Sequence, residues 1–303
     1  MIRTRGLART FRRLVAVREL NLEVASGEVF GFLGPNGAGK TTTVRMLAGL
    51  ISHSQGEATV AGLNVGADNQ RIRQRVGVLT ETPGLYGKLS AYHNLAFYAQ
   101  LYEIDHIARR IEKHLSLLGL WSRRNDPVGS FSKGMRQKVA IARTLLHDPQ
   151  VVFLDEPTSG LDPQAAHTVR EYIAELSQGE GRTILLCTHN LPEAEMLCQR
   201  IGLMKQTLIK VGTPQQLKHE LFEPQTVIEL HQPLERAEQV LDFPFVRRLE
   251  VRGACLHVTL EDPAAQNTLL IQRLVEQGAL IRYVRPQERS LEDVYLALLK
   301  ETP

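Results

Sequence analysis

The glycine-rich segment at residues 34–41 (GPNGAGKT) constrains the fold of this chain more than any other feature of its sequence. It matches the pattern G-x-x-x-x-G-K-[S/T], and it lies between an apolar run at residues 28–33 and a segment of helical character at residues 41–50. Glycines let consecutive backbone N–H groups point toward one centre, and a following helix presents its positive end to the same point. The sequence therefore predicts a phosphate-binding loop between a buried strand and a helix.

The side chains of this loop predict that a nucleoside triphosphate binds there. We expect Lys40 to reach the β- and γ-phosphates and Thr41 to hold Mg²⁺. The motif predicts the ligand and leaves the reaction open. The nucleotide-binding residues that it predicts are Gly34, Pro35, Asn36, Gly37, Ala38, Gly39, Lys40, Thr41 and Thr42.

Two adjacent acids, Asp155 and Glu156, indicate the reaction. They end the apolar segment VVFLDE at residues 151–156, which we predict to be a strand. Ligands of parallel sheets collect at the C-terminal ends of the strands. Asp155 is therefore expected to hold Mg²⁺ through water, and Glu156 to act as the general base that polarises the attacking water.

The hydrophobic pattern predicts an α/β domain with a helical insertion and a smaller domain after it. Strand-like segments occur at residues 14–24, 28–33, 56–65 (a hairpin), 76–80, 151–155 and 183–188, and helical spacing occurs at residues 90–120, 134–147 and 163–178. The uninterrupted apolar strands suit a parallel sheet that is covered on both faces. The predicted boundaries are residues 1–222 for the first domain, about 84–147 for its helical subdomain, and 223–303 for a small α+β domain.

Three further motifs occur in a fixed order around the acidic pair: FSKGMRQ at residues 131–137, SGLD at residues 159–162 and THN at residues 188–190. With the phosphate loop and the acidic pair, they resemble the ATP-binding-cassette (ABC) ATPases over residues 1–222. The resemblance implies the fold of a P-loop NTPase cassette, with a mixed sheet, an antiparallel β subdomain and a helical insertion. It also implies ATP hydrolysis with Mg²⁺ and a separate membrane permease as partner.

The resemblance implies a site that two cassettes share. ATP is expected between the phosphate loop of one cassette and the signature segment of another, which is either a second copy or a paralogue. Ser132 and the N–H of Gly134 would face the γ-phosphate from a helix start. His189 would contact the γ-phosphate, Asp162 would couple the two sites, and Phe11 would lie against adenine.

Two residues depart from the common pattern of this family. Glu81 stands where a glutamine is usual; it can bind Mg²⁺ or a bridging water but adds a negative charge. Lys133 replaces the second glycine of the signature segment, and its side chain either points to solvent or adds a cation near the phosphates. Both variants resemble those of bacterial drug-export ATPase subunits, and the C-terminal segment ERSLEDVYLALLK (residues 288–300) resembles the tail of those subunits. Within it, Ser290 and Asp293 also fit a helix-capping box.

Aromatic residues crowd the stretch after residue 81: Tyr86, Tyr92, Phe97, Tyr98 and Tyr102. One interpretation is packing within the helical subdomain. The other is a groove that receives a helix of the permease, because tyrosine suits an interface that is half apolar. On the second interpretation the permease docks near Glu81, Tyr86 and Tyr92.

Composition limits the alternatives to this function. The formal net charge of +3 and the short basic runs give no reason to expect a nucleic-acid partner. Three cysteines without a CxxC pair indicate a reducing compartment, and no apolar run reaches the ~18 residues of a spanning helix. We expect a cytoplasmic protein that is peripheral on the inner face of the cell membrane. The alternatives are a soluble ABC ATPase acting on nucleic acid or the ribosome, and a module that binds ATP without hydrolysis, against which Glu156 and His189 both count.

Overall fold

The computed structural model describes residues 1–80, 82, 84–235, 237–287 and 289–301. The chain separates into two compact units, Met1–Pro214 and Gln215–Pro303. This division lies before a helix at Pro214–Leu221, whereas the boundary predicted from the sequence lies after it. Among the residues just described, no helix has both the length and the apolar character that a membrane span requires.

The first unit alternates strands and helices after an all-β start. In chain order its elements are β1 (Ile2–Phe11), β2 (Leu14–Val24), β3 (Val29–Leu33), α1 (Lys40–Leu47), β4 (Gln55–Val60), β5 (Leu63–Asn64), α2 (Asn69–Arg75), β6 (Val76–Leu79), α3 (Ala91–Leu101), α4 (Ile107–Leu117), α5 (Lys133–Leu145), β7 (Val151–Asp155), α6 (Pro163–Gln178), β8 (Thr183–Thr188), α7 (Leu191–Leu197), β9 (Arg200–Lys205) and β10 (Thr207–Gly212).

A six-stranded sheet in the order β10-β9-β3-β8-β7-β6 forms the centre of this unit. All neighbouring pairs are parallel except β10 with β9. Every residue of β3, β7 and β8 is buried, as expected for strands covered on both faces. The phosphate loop follows β3, Asp155 ends β7 and Thr188 ends β8, so these groups meet at the C-terminal edge of the sheet.

A four-stranded antiparallel sheet, in the order β2-β1-β4-β5, lies beside this core. The predicted hairpin at residues 56–65 is confirmed, whereas β1 was not predicted, because the arginines near the N-terminus look like solvated surface. They alternate with buried residues such as Ile2 and Thr4. Arg3 pairs with Glu23 at 2.7 Å on the exposed face, which explains how a basic segment forms a strand.

The predicted helical insertion is confirmed as α3, α4 and α5. A buried contact ties it to the core: His114 Nδ1 of α4 lies 2.6 Å from the hydroxyl of Tyr172 on α6. Burial lowers the pKa of His114 to about 4, so the ring is neutral at physiological pH. The short elements α2, α7, β9 and β10 were not predicted.

The second unit is a small α+β domain. Its elements are α8 (Pro214–Leu221, which begins at the last residue of the first unit), β11 (Gln225–Leu230), β12 (Val246–Arg252), β13 (Cys255–Leu260), α9 (Pro263–Glu276), β14 (Ile281–Pro286) and α10 (Leu291–Glu301). The strands form an antiparallel sheet in the order β12-β13-β11-β14. Leu270 and Leu274 of α9 share a hydrophobic core with these strands. The predicted capping box is confirmed, since Ser290 N donates to Asp293 Oδ2 at 2.9 Å and Asp293 N donates to Ser290 Oγ at 3.2 Å.

Candidate nucleotide-binding site

A cavity of about 500 Å³ opens over the phosphate loop. It collects residues from the β1–β2 hairpin, the loop itself and the ends of β7, β8 and β9. The lining residues are Phe11, Leu14, Val15, Ala16, Pro35, Asn36, Gly37, Ala38, Gly39, Lys40, Thr41, Thr42, Asp155, Glu156, Ser159, His189 and Gln206. Of the predicted loop residues, all but Gly34 line the cavity.

The phosphate loop is compact because two of its three glycines, Gly34 and Gly39, lie against backbone. A Cβ at Gly34 would overlap the carbonyl oxygen of Met204 on β9, and one at Gly39 would crowd the carbonyl oxygen of Ala16 on β2. Gly39 also has φ +98° where it caps α1, a conformation that favours glycine. The loop is therefore held between two strands.

The ammonium group of Lys40 lies at the centre of the loop. It donates to the carbonyl oxygens of Gly34 at 2.5 Å and Pro35 at 3.1 Å, and the residue is buried. These are the loop's own acceptors, so the ammonium is positioned from within the loop. A cation held there is suited to anionic phosphate oxygens that enter the cavity.

Thr41 and Asp155 line the cavity and provide two oxygen atoms of the kind that bind hard metal ions. The Thr41 hydroxyl donates to Asp155 Oδ2 at 2.7 Å, and Asp155 is buried at the end of β7. In the part of the chain that the structure describes, no cluster of three or more His, Cys, Asp or Glu residues forms a complete metal cage. This set fits Mg²⁺, which is commonly held by one or two protein oxygens together with phosphate oxygens and water.

Glu156 lies at the edge of the cavity in a constrained conformation. Its φ of +52° is unusual for a residue with a side chain, and its N–H donates to Cys187 O of β8 at 2.8 Å. Its carboxylate accepts the backbone N–H of His189 at 3.0 Å, and Oε1 lies 2.7 Å from His189 Nδ1. The side chain of Glu156 is 14% exposed and that of His189 62%. A mostly covered carboxylate is thus in contact with a mostly exposed imidazole.

Phe11 is far from the acidic pair in the sequence but lines the same cavity. Its ring is 40% exposed, and the guanidinium of Arg9 lies 4.4 Å from the ring centre. An exposed aromatic face beside the phosphate loop can stack with a planar base.

Five lining residues were not predicted as site residues: Leu14, Val15, Ala16, Ser159 and Gln206. Gln206 has φ +62° at the turn between β9 and β10. Its N–H donates to Ala38 O at 2.8 Å, and its carbonyl accepts Arg18 N–H at 2.7 Å. This turn braces the loop from about 170 residues downstream in the chain, and no local motif marks it.

The predicted signature residues do not line this cavity. Ser132 caps α5, where its Oγ accepts Met135 N–H at 3.2 Å, and Asp162 caps α6, where its Oδ1 accepts Ala165 N–H at 2.9 Å. Gly134 is buried against α6, since a Cβ there would lie 2.9 Å from that of Ala165. The starts of α5 and α6 therefore lie side by side.

The exposure of Lys133 agrees with the hypothesis that its side chain points to solvent. The side chain is exposed, and it extends along Gly160, so that a Cβ at Gly160 would overlap its ammonium group. Gly160 itself has φ +66°. Lys133 thus lies against the SGLD segment of its own chain.

Glu81 falls outside the described residues. A groove of about 270 Å³ is lined by Ala48, Leu50, Arg73, Val76, Val78, Tyr98, Tyr102, Arg143, Thr144 and His147. The Tyr102 ring stacks on His147 with centres 4.3 Å apart, and the exposed Tyr86 packs edge-on against Phe97 at 5.4 Å. Tyr92 contacts His93 and is not among the lining residues.

Two family models match the sequence. The model "ABC transporter" matches residues 17–159, and the model "ATP-binding protein DrrA1-3-like, C-terminal domain" matches residues 212–299. The first covers the phosphate loop, the signature segment and the acidic pair. The second covers the second unit of the structure almost completely.

Several curated proteins are similar to the chain over nearly its full length. The uncharacterized ABC transporter ATP-binding protein YhcH of Bacillus subtilis is 33% identical over 100% of this chain and 97% of its own. The Nod factor export ATP-binding protein I of Cupriavidus metallidurans is 36% identical over 98% and 97%. The bacitracin transport ATP-binding protein BcrA of Bacillus licheniformis is 33% identical over 99% and 97%.

The fold also matches solved structures. The cbiO1 protein of Clostridium perfringens, described as part of the ABC transporter complex cbiONQ, is 27% identical and has a TM-score of 0.66. The match covers 71% of this chain and 89% of that one.

Proposed function

Since this chain belongs to the family of ABC transporter ATP-binding proteins, we propose that it hydrolyses ATP in the cavity over residues 34–42, with Glu156 as the general base. Such subunits pair as cassette dimers and work with membrane permease components. The observation that carries the proposal is the position of the Glu156 carboxylate. It lies at the cavity edge, next to Asp155 and against the backbone N–H of His189.

Each residue around the cavity is assigned a separate role in hydrolysis. Lys40 and the loop N–H groups hold the phosphates, and the ring of Phe11 stacks on the adenine ring. Glu156 accepts a proton from the attacking water, and His189, exposed beside it, donates a hydrogen bond to the γ-phosphate. Thr41 and Asp155 would hold Mg²⁺, which when bound neutralises charge that develops on the phosphates. Glu81 stays a predicted further ligand.

The site in one chain is half complete. Ser132, Gly134 and Asp162 lie at the starts of α5 and α6 and not in the cavity lining. The positive end of α5 would then contact the nucleotide of a second cassette, either another copy of this chain or a paralogue. Head-to-tail pairing would complete both sites at once, as the resemblance to ABC ATPases implies.

Export is the direction of transport that the relatives favour. One of the full-length relatives is described as an export protein and another as a bacitracin transport protein, so we infer a cargo that leaves the cell. None of the names of the relatives described above mentions nucleic acid or the ribosome, so that alternative is left without support. We place the protein on the inner face of the membrane, held there by its permease.

The groove lined by Tyr98, Tyr102 and His147 is the proposed docking site of the permease. Tyr98, Tyr102 and His147 provide flat rings, and Arg73 and Arg143 provide polar edges. An amphipathic helix fits such a half-apolar surface. The exposed rings of Tyr86 and Phe97 extend the surface toward the rim. The position of Tyr92, against His93 rather than in the groove, makes its contribution to docking the weakest of the predicted residues.

Substitution of Glu156 tests the proposed base. We expect Glu156→Gln to lower the rate of ATP hydrolysis by at least about 100-fold, because the amide cannot accept the proton of the attacking water. ATP binding persists, and an ATP-bound dimer accumulates that gel filtration with radiolabelled ATP detects. Glu171→Gln, the same change at an exposed position of α6, serves as control and keeps the wild-type rate. Hydrolysis by Glu156→Gln at the wild-type rate would show that another group is the base.

A further inference from the structure

The carboxylate of Glu193 is a buried acid that the mechanism above does not use. It lies in the first turn of α7 and is only 2% exposed. Its backbone N–H donates to Asn190 Oδ1 at 3.1 Å, which fixes the start of the helix. Buried carboxylates are rare unless they are paired or hydrogen-bonded, so the partners of Glu193 are informative.

Those partners come from the two loops that carry the reacting groups. The hydroxyl of Thr158 donates to Glu193 Oε1 at 2.6 Å, and the hydroxyl of Thr188 donates to Oε2 at 3.2 Å. Thr158 lies two residues after Glu156, and Thr188 directly precedes His189. The Glu193 carboxylate therefore joins the loop after β7 to the end of β8.

The Thr188 hydroxyl lies between two carboxylates. It accepts Asn190 N–H at 3.0 Å, and its oxygen is 3.2 Å from Glu193 Oε2 and 3.4 Å from Glu156 Oε2. A hydroxyl has one proton to donate, so Glu193 and Glu156 compete for it. As long as Glu193 accepts this proton, Glu156 Oε2 does not receive the hydrogen bond of Thr188.

The electrostatic surroundings fit this arrangement. Burial raises the pKa of Glu193, and the hydrogen bonds from Thr158 and Thr188 oppose that rise. The charge of Glu156 acts in the same direction as burial. The charges of the two carboxylates thus interact through the low-dielectric interior, with the Thr188 hydroxyl between them.

We propose that Glu193 is a positioning residue for hydrolysis, which holds Thr158 and Thr188 and so fixes Glu156 against His189. The inference rests on the proposed role of Glu156 as base. Glu193 does not touch the cavity lining, so it acts on the rate through the loops and not on the nucleotide. Its loss is therefore expected to lower kcat while leaving the affinity for ATP unchanged.

The first experiment replaces Glu193 by glutamine in the full chain. The amide oxygen still accepts from Thr158, but the amide nitrogen cannot accept from Thr188. The Thr188 hydroxyl then donates its hydrogen bond to Glu156 instead. We expect kcat for ATP to fall about tenfold, with the Kd for a fluorescent ATP analogue within about twofold of wild type. Glu171→Gln is the matched control. An unchanged kcat, or a fall in kcat accompanied by an equal loss of nucleotide affinity, would overturn the proposal.

Valine at either threonine gives an independent test if the glutamine variant is unstable. Thr158→Val and Thr188→Val keep the shape of the side chain and remove one donor each, so each is expected to lower kcat without changing the Kd. The double variant Thr188→Val with Glu193→Gln is expected to lose no more than the worse single variant, because both break one network. If the fold-loss of kcat in the double variant equals the product of the two single-variant losses, the two residues act independently and the network is contradicted.

These outcomes separate the proposal from the function on which it rests. If Glu156→Gln hydrolyses ATP at the wild-type rate, the assignment of the base fails whatever Glu193 does. If Glu156→Gln is inactive and Glu193→Gln has wild-type kcat, only the positioning role fails. The expected result is an inactive Glu156→Gln and a Glu193→Gln that binds ATP normally but turns it over about tenfold more slowly.

Discussion

At the scale of single residues, the phosphate loop contains two glycines that are needed for different reasons. Gly34 lies under the carbonyl oxygen of Met204, so a side chain there has no space. Gly37 has φ +83° but no heavy atom within 4 Å of a Cβ built on it. At Gly34 contact with Met204 excludes a methyl group, whereas at Gly37 only the backbone conformation disfavours it.

This difference predicts unequal effects of the same substitution. Gly34→Ala is expected to displace the loop from β9, lower the melting temperature by several degrees and weaken ATP binding at least about tenfold. Gly37→Ala, the matched control three residues away, should cost only about 1 kcal/mol of unfolding free energy, because its strain is conformational. Thermal denaturation without nucleotide measures both. Equal losses of stability would mean that contact with Met204 is not what fixes Gly34.

At this scale the sequence predicted the positions of residues in local motifs better than those of the residues that support them. Asp155 and Glu156 lie at the end of the buried strand β7, and Lys40 begins α1 directly after the phosphate loop, as their local motifs predict. Glu193 and Gln206 were missed because their contacts join segments that are far apart in the chain. Nothing in the neighbouring sequence distinguishes a buried glutamate on a short helix from a solvated one.

At the scale of elements, the start of α5 has two functions that a substitution can separate. Ser132 caps the helix within the chain, and it is also proposed to face the nucleotide of a second cassette. Aspartate is as good an N-cap as serine and adds a favourable interaction with the helix dipole. It also places a negative charge where a γ-phosphate is expected.

We therefore expect Ser132→Asp to fold as stably as wild type while its ATP hydrolysis falls at least about tenfold. Ser90 is the control, since it caps α3 with the same geometry, accepting His93 N–H at 3.1 Å, and no nucleotide contact is proposed for it. Ser90→Asp should keep both stability and activity. Circular dichroism melting and a phosphate-release assay supply the two readouts. Wild-type hydrolysis by Ser132→Asp would exclude a γ-phosphate contact at this helix start.

Elements with a complete local pattern were predicted, and those that depend on tertiary contacts were not. The apolar strands β3, β7 and β8 and the helices α3 to α6 carry a periodicity long enough to detect. Strand β1 was hidden because its outward face carries arginines that pair with acids on neighbouring strands. The helix α7 has seven residues and is held by its cap and by Glu193, and neither leaves a periodic signal.

At the scale of the whole molecule, each unit has a hydrophobic core of its own. Leu270 and Leu269 are neighbours on α9, yet Leu270 is fully buried in the core of the second unit and Leu269 is 43% exposed. Because the two residues share a helix and a residue type, they isolate the contribution of burial from that of helix propensity.

Leu270→Ala is expected to destabilise the second unit by about 2–4 kcal/mol, whereas Leu269→Ala should change its stability by no more than about 0.5 kcal/mol. The nucleotide site belongs to the first unit, so both variants should bind ATP like wild type. Differential scanning calorimetry with and without ATP measures both properties. A loss of ATP binding in Leu270→Ala alone would show that the two cores are energetically coupled.

The order of strands in the central sheet has a consequence for biosynthesis. Strand β3, which leads into the phosphate loop, pairs with β8 and β9. These partners begin at Thr183 and Arg200, about 150 residues later in the chain. At a translation rate of about 5–20 residues per second, the ribosome needs on the order of ten to thirty seconds to supply them. During that time the apolar strand VFGFL is made but lacks its partners, so the nascent chain passes through a stage at which the sheet does not yet cover it.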